Sequence, residues 1–216
     1  MTDLGSLSLS PSRVLVLAPH TDDGELGAGA TISRLSREGH TVHYVAFSAC
    51  ETIQPIEPID ILRTECERAT ARLGIDQSRL EILHFEVRQF HRDRQLILEK
   101  LVSLSSELRP DLVLLPSTDD THQDHHVVSD EARRAFKRTR MLGYEVPWNN
   151  FRFESTAFVP VGEDDVAAKV AAVTEFASQT GRPYMDPRYL EAQLRFHGVQ
   201  AGTEFAEAFQ VLRWYL

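Results

Sequence analysis

The sequence predicts an α/β fold built on a mostly parallel sheet. Three observations lead there. Short continuous apolar runs recur, rich in Val and Leu and bounded by polar or turn-forming residues. Longer stretches of helical periodicity lie between them. This strand-then-helix alternation occurs four times, and repeated βαβ units imply right-handed crossovers and parallel strands.

The elements follow in order. Arg13–Ala18 reads Arg-Val-Leu-Val-Leu-Ala, a strand buried on both faces. Gly24–Glu38 follows as a helix, turning Leu26, Ala30, Ser33 and Leu35 toward one side. Thr41–Phe47, Leu80–His84 and Asp111–Leu115 repeat the strand pattern. Pro58–Leu73 and Arg92–Leu108 are long enough for helices. The second carries Leu96, Ile97, Leu101 and Leu104 at helical spacing, with Pro110 as its stop. His122–Lys137 is the fourth helix, with Val128, Ala132, Ala135 and Phe136 toward the sheet. After Gly143 the pattern changes. Pro147–Asn150 reads as a turn, Ser155–Val161 as a strand and Val166–Ser178 as an Ala-rich helix. Leu190–Phe196 and Phe205–Phe209 read as helical. Residues 1–12 read as a loose segment ahead of a single domain, 13–216.

Composition narrows the function. With 42% hydrophobic and 25% charged residues the chain is an ordinary globular one. Its 23 Lys+Arg against 32 Asp+Glu give a net charge of -9, which argues against a nucleic-acid or anionic-membrane surface. No apolar run approaches the roughly 20 residues that span a bilayer, and residues 1–12 lack a signal pattern. Two cysteines, Cys50 and Cys66, are too few for a disulfide framework or a four-Cys zinc site. A reduced, cytoplasmic enzyme is the expectation.

Ligands of open parallel sheets bind beyond the carboxyl ends of the strands. The first such end is Pro19-His20-Thr21-Asp22-Asp23. The fourth runs from Pro116 to His126 and includes Asp119, Asp120, His122, Asp124 and His125. The first and fourth strands can be neighbours in a doubly wound sheet, so the two clusters can meet. Imidazole and carboxylate are usual zinc ligands, and catalytic zinc keeps one position open for water. The expected ligands are His20, Asp23 and His125, with Asp22 left unligated as general base. One zinc ion per chain is expected, although iron or cobalt also suit two nitrogens and a carboxylate.

Other readings of the same residues stay open. Asp22 or Asp23 could cap the following helix, and Thr121 the one starting at His122. Gly24-Glu-Leu-Gly27-Ala-Gly29 fits a dinucleotide loop poorly, because Ile32 stands where a third glycine belongs; small residues here let the helix pack close on the sheet. Asp124-His125-His126 matches the name motif of the DHH manganese phosphoesterases, but those need alternating aspartates after the first strand, and here they are adjacent. A non-catalytic, metal-dependent sugar-binding protein is a third reading.

The residues also carry a resemblance. Pro19-His-Thr-Asp-Asp-Gly-Glu-Leu-Gly-Ala-Gly-Ala-Thr31 resembles the first signature of the PIG-L / LmbE-like zinc N-deacetylases, and His122-Gln-Asp-His125 resembles their second. Pro147-Trp-Asn-Asn150, Arg195–Gly202 and Phe205–Phe209 resemble the family's C-terminal region. The resemblance implies a Rossmann-like α/β sandwich and removal of an acetyl group from an N-acetylglucosamine-type sugar. It implies His20, Asp23 and His125 as zinc ligands and Asp22 as base. It implies His122 as the residue that stabilises the oxyanion, and Asp124 as the carboxylate that orients His122. Thr21 and Gln123 replace prolines of the signatures, Gly24 stands where Glu or Ala is common, and Ala30 replaces a common Gly. No ligand is lost.

For the substrate, Arg63 is a candidate for an anionic group and Trp148 for stacking on a sugar face, or for plugging the core. His126 reads as a helix-surface histidine. Aromatic residues in the C-terminal third are compatible with a homo-oligomer contact, so the oligomeric state stays open.

Overall fold

The computed structural model describes residues 12–52 and 58–215. The expected loose segment therefore falls almost wholly outside the described residues. Seven strands form one sheet in the order β3-β2-β1-β4-β5-β7-β6. They are β1 Arg13–His20, β2 Thr41–Ser48, β3 Leu80–Ile82, β4 Leu112–Pro116, β5 Arg140–Tyr144, β6 Ala157–Val161 and β7 Phe205–Arg213. The first five pair in parallel, while β7 runs antiparallel to both β5 and β6. Strand order reverses between β1 and β4, so their carboxyl ends open a crevice between them.

Each side of the sheet has its own core. Successive strand residues point to opposite faces, so β1 sends Val14, Val16 and Ala18 to one and Leu15 and Leu17 to the other. The first face is covered by α1 Asp23–Arg37, α2 Ile61–Arg72 and α5 Glu163–Thr174, through Ile32, Cys66 and Ala172. The second is covered by α3 Arg94–Leu108 and α4 Gln123–Ala135, through Ile97, Leu101, Val128 and Ala132. The last helix, α6 Pro187–Ala201, joins α5 and β7 through Leu194, Val166 and Phe205. A fully buried side chain of this kind contributes about 1.5–3 kcal/mol. In α3 the expected stripe holds except at Leu96, which is 57% exposed. The helix stops as predicted, with Arg109 in the left-handed conformation ahead of Pro110.

Two corrections concern the C-terminal third. Phe205–Phe209, expected as a helix, is the start of β7. It lies between β5 and β6 with all five residues buried. A strand buried on both faces loses its alternation, and tertiary pairing overrides the helix preference of Ala and Glu. The short strand β5 was not predicted either. The helix expected at Leu190–Phe196 is the interior of α6, and the one at Val166–Ser178 starts and ends earlier, as α5. No helix among the described residues is long and apolar enough to cross a membrane.

Candidate active site

A cleft of about 420 Å³ opens where β1 and β4 end. His20 is the last residue of β1, and Asp23 is the first of α1. The backbone N–H of His20 donates to Asp23 Oδ2 at 2.8 Å, closing the turn between them. Asp22 occupies the N-cap position but makes no side-chain cap bond. Its carboxylate lines the cleft instead. At α4 the cap is His122 rather than Thr121: His122 Nδ1 accepts the Asp124 N–H at 3.2 Å.

Three donor atoms converge at the floor. His20 Nδ1 lies 3.1 Å from Asp23 Oδ2, His125 Nε2 lies 3.1 Å from the same oxygen, and the two nitrogens are 3.2 Å apart. Ligands on one face of a zinc tetrahedron, with bonds of about 2.0–2.1 Å, stand about 3.3–3.4 Å apart. The triangle fits that ion after a shift of a few tenths of an ångström. The remaining ring nitrogens face carboxylates, His20 Nε2 with Asp124 Oδ2 at 3.1 Å and His125 Nδ1 with Asp120 Oδ2 at 2.7 Å. Such partners fix the tautomer that turns the other lone pair toward a metal.

One carboxylate sits elsewhere than expected. The resemblance put Asp124 on His122, but the Asp124 side chain holds His20 and accepts the N–H groups of Arg88 at 2.6 Å and Phe90 at 3.4 Å. His122 is held through the backbone. Its own N–H donates to Asp120 Oδ1 at 2.8 Å, and its Nδ1 accepts from Asp124. His122 brings a ring nitrogen within 4.8 Å of ring nitrogens of His20 and His125, which makes a three-histidine metal set conceivable. The hydrogen bond to Nδ1 argues otherwise. A neutral imidazole that accepts at Nδ1 carries its proton on Nε2, which makes it a donor and not a ligand. Burial, then the charges of His125 and His20, lower the His122 pKa to about 4, so the ring is neutral.

The electrostatics separate the two adjacent aspartates. Burial, and then the charge of Asp23, raise the Asp22 pKa to about 6. Burial alone would raise Asp23 as well, but the charge and hydrogen bonds of His125 and His20 hold it far below the usual range. For His125 burial is outweighed by Asp23 and Asp120, which raise it to about 10. Next to them, buried Glu25 accepts from Tyr44 Oη at 2.5 Å, and its other oxygen has no partner among the described residues. Burial raises its pKa to about 8. The sign follows directly. The folded chain keeps a proton that the unfolded chain releases, so stability present below the ordinary carboxylate pKa is lost as pH rises through about 8. Glu25→Gln in the metal-free protein should therefore gain stability over wild type between pH 5 and 8, on the order of 2 kcal/mol or more. Thermal melts at the two pH values test this, and a difference independent of pH would contradict it.

The rim brings one expected substrate residue to the cleft and not the other. Trp148 lines the opening, 67% exposed, with its ring 5.8 Å from that of Tyr184, so it does not plug the core. The expected turn that carries it is pinned by Asn149 O, which accepts from Thr121, and by Asn150, which donates to Ser117 Oγ at 2.9 Å. Arg63 stands away from the cleft. Its guanidinium donates to the carbonyls of Ile82 and Leu83 at 2.9 and 3.0 Å and pairs with Glu51, clasping α2 to the end of β3. His126 is exposed on α4. Sequence reasoning gave no role to Asp120, Arg88, Arg182 or Tyr184, which shape the site. Only Asp120 left a signal, as a second carboxylate in the His-rich loop.

The "Uncharacterized deacetylase YaiS" of Escherichia coli K12 is 27% identical, over 76% of this chain and 90% of that one. The N,N'-diacetylchitobiose deacetylase of Pyrococcus horikoshii superposes with a TM-score of 0.73 at 20% identity, covering 93% of this chain and 84% of that one. GalB, the 4-carboxy-2-hydroxymuconate hydratase of Pseudomonas putida KT2440, reaches 0.74 at 18% identity, covering 95% and 98%. These last two likenesses establish the shared fold, and the fold accommodates both reactions. Residues 15–136, the stretch from β1 through α4 that holds both ligand loops, match the GlcNAc-PI de-N-acetylase family, and the chain belongs to that family, PIG-L.

Proposed function

We propose that this protein is a zinc-dependent N-deacetylase acting on a small N-acetylglucosamine-type sugar or glycoconjugate. The observation that carries the reading is the triangle of His20, Asp23 and His125 with the raised carboxyl of Asp22 beside it. Those three residues would hold the ion. When bound, zinc supplies Lewis acidity, polarising the acetyl carbonyl and bringing the pKa of water from about 16 toward 7. The remaining work falls to side chains. Asp22, with a pKa near 6, accepts the proton of the attacking water and is well matched to neutral pH. The His122 Nε2–H donates to the developing oxyanion, a contribution often worth about 3 kcal/mol. Asp22 then returns the proton to the departing sugar amine. The net charge of -9 supports a small-molecule substrate over a nucleic acid.

Metal analysis combined with an amine-release screen on N-acetylated glycosides tests the reading. The expected result is one zinc per chain and release of a sugar amine. Two metals per chain with phosphodiester cleavage would favour the DHH-like alternative. Zinc uptake without hydrolysis across the screen would favour a sugar-binding protein.

Two further outcomes follow. Asp120→Asn removes the carboxylate on His125 Nδ1 and should weaken zinc binding by about 10–100-fold, read by chelator competition. Unchanged affinity would remove Asp120 from the site. Trp148→Ala should raise KM several-fold with kcat nearly unchanged, because the ring binds sugar and transition state alike. A fall confined to kcat would contradict a stacking role.

A further inference from the structure

The first helix is broken close to the candidate ligands, and the break is filled by a buried ion pair. Ala28 has φ -142° and ψ 15° inside α1, so a single turn, 23–27, precedes a longer segment, 29–37. Such a break strands the carbonyls before it and the N–H groups after it. In an unbroken helix the Leu26 carbonyl would accept from the Ala30 N–H. Here it accepts from Lys169 Nζ at 2.7 Å. The Ala30 and Thr31 N–H groups donate to Glu207 Oε1 and Oε2 at 3.1 and 2.7 Å. Lys169 Nζ and Glu207 Oε1 are themselves 2.6 Å apart, and the residues are 2% and 3% exposed. The pair is thus inserted into the helix ladder. The carboxylate faces the positive start of the longer segment and the ammonium the negative end of the single turn, as the helix dipoles favour.

The single turn begins with Asp23 and is preceded by Asp22 at its N-cap. The Leu26 N–H donates to the Asp22 carbonyl at 3.1 Å, so Lys169 grips the far end of the loop that presents Asp22 and Asp23. Gly29 makes room for Lys169 at the break, and Gly27 lets the turn pack on Tyr144. A Cβ at Gly29 would stand 3.0 Å from Lys169 Cγ, and one at Gly27 2.2 Å from the Tyr144 ring. Lys169 lies on α5 and Glu207 on β7, both beyond the stretch 15–136 that matches the family.

We infer that Lys169 and Glu207 are positioning residues, holding the aspartate turn in the geometry that metal binding needs. The inference rests on the metal reading above. A purely structural pair would add stability and nothing else, so stability alone does not test it. The experiment uses folded, metal-free full chains of wild type, Glu207→Gln, Lys169→Met and Gly29→Ala. Leu104→Ala, a core truncation on the opposite side of the sheet, serves as a control that loses stability without touching α1. Zinc affinity is read by chelator competition, and exchange of the Leu26 amide by NMR. Glu207→Gln and Lys169→Met should weaken zinc about 10-fold or more and speed Leu26 exchange about 10-fold, with Gly29→Ala moving both the same way by less. Leu104→Ala should keep wild-type affinity. If Lys169→Met fails to fold, the milder Glu207→Gln and Gly29→Ala decide. Wild-type zinc affinity and Leu26 exchange in folded Glu207→Gln would overturn the inference. A wild-type chain that takes up no zinc would instead refute the metal reading, and Leu26 exchange would still decide whether the pair holds the turn.

Discussion

Asp22→Asn should keep the fold and the zinc and lose most of the rate, about 10²–10⁴-fold in kcat. Asp23→Asn should do the reverse and lose the metal first. The two residues are neighbours with the same side chain, so the contrast isolates position. Asp23 Oδ2 lies 3.1 Å from ring nitrogens of both His20 and His125, where a neutral amide is a poorer ligand for a dication. Asp22 makes no cap bond and lines the cleft with a pKa raised to about 6, so it can take and return a proton near neutral pH. Zinc content and amine-release rate, measured on both variants, decide between the roles. An Asp22→Asn chain that came out metal-free, beside an Asp23→Asn chain with full zinc, would mean that the roles are exchanged.

The parts of this site legible in the sequence are those set by neighbours along the chain. Four parallel strands, three of them buried and β3 half-buried at the sheet edge, announce themselves as apolar runs, and the order of the alternation places the ends of β1 and β4 together. His20, Asp22 and Asp23 fall within one strand-to-helix turn, and His122, Asp124 and His125 at the fourth such connection, so local spacing sufficed. What stayed hidden depends on partners distant in sequence. Arg63 looks like any arginine on a helix until the carbonyls of Ile82 and Leu83 are beside it. Asp124 could be paired with either histidine until the backbone at Arg88, left-handed at φ 66°, turned its N–H onto the carboxylate. Glu207 sits in an Ala-rich run that suits a helix, and only the empty place between β5 and β6 makes it a strand. Its carboxylate then reaches the broken ladder of α1 from 177 residues away.

Sharing a fold with a hydratase shows that the sheet does not choose the reaction. The choice lies in which groups are held deprotonated, protonated or neutral around one triangle of donors. Here a low-pKa carboxylate, two histidines braced by buried carboxylates, a neutral donor imidazole and a raised carboxyl are gathered at one cleft from two loops about a hundred residues apart. Each state follows from burial reinforced or opposed by particular neighbours, so changing one neighbour should change the chemistry without changing the fold.

Zinc uptake should therefore expel protons, and activity should fail in acid. In the metal-free chain Asp23 Oδ2 touches ring nitrogens of both His125 and His20, and both histidines have raised pKa values, His125 to about 10. At pH 7 at least one of those nitrogens carries a proton where the ion would sit. For the metal-free chain the sign is that of a raised base. The stability this proton confers is complete below the unfolded histidine pKa, near 6.5, and is lost as pH rises through about 10. For metal the sign is reversed, because each proton displaced is a competitor. Apparent zinc affinity should climb about 10-fold per pH unit between pH 6 and 8, with at least one proton released per ion. Calorimetry in buffers of different ionisation enthalpy counts that proton. Activity should decline below roughly pH 6, where His20 also competes fully, and excess zinc should restore part of it. Chelation at pH 8 should abolish amine release, and added zinc should return it. Uptake without proton release across this range would remove the histidines from the ligand set, since His125, with its pKa raised to about 10, has to give up a proton before it can bind the ion.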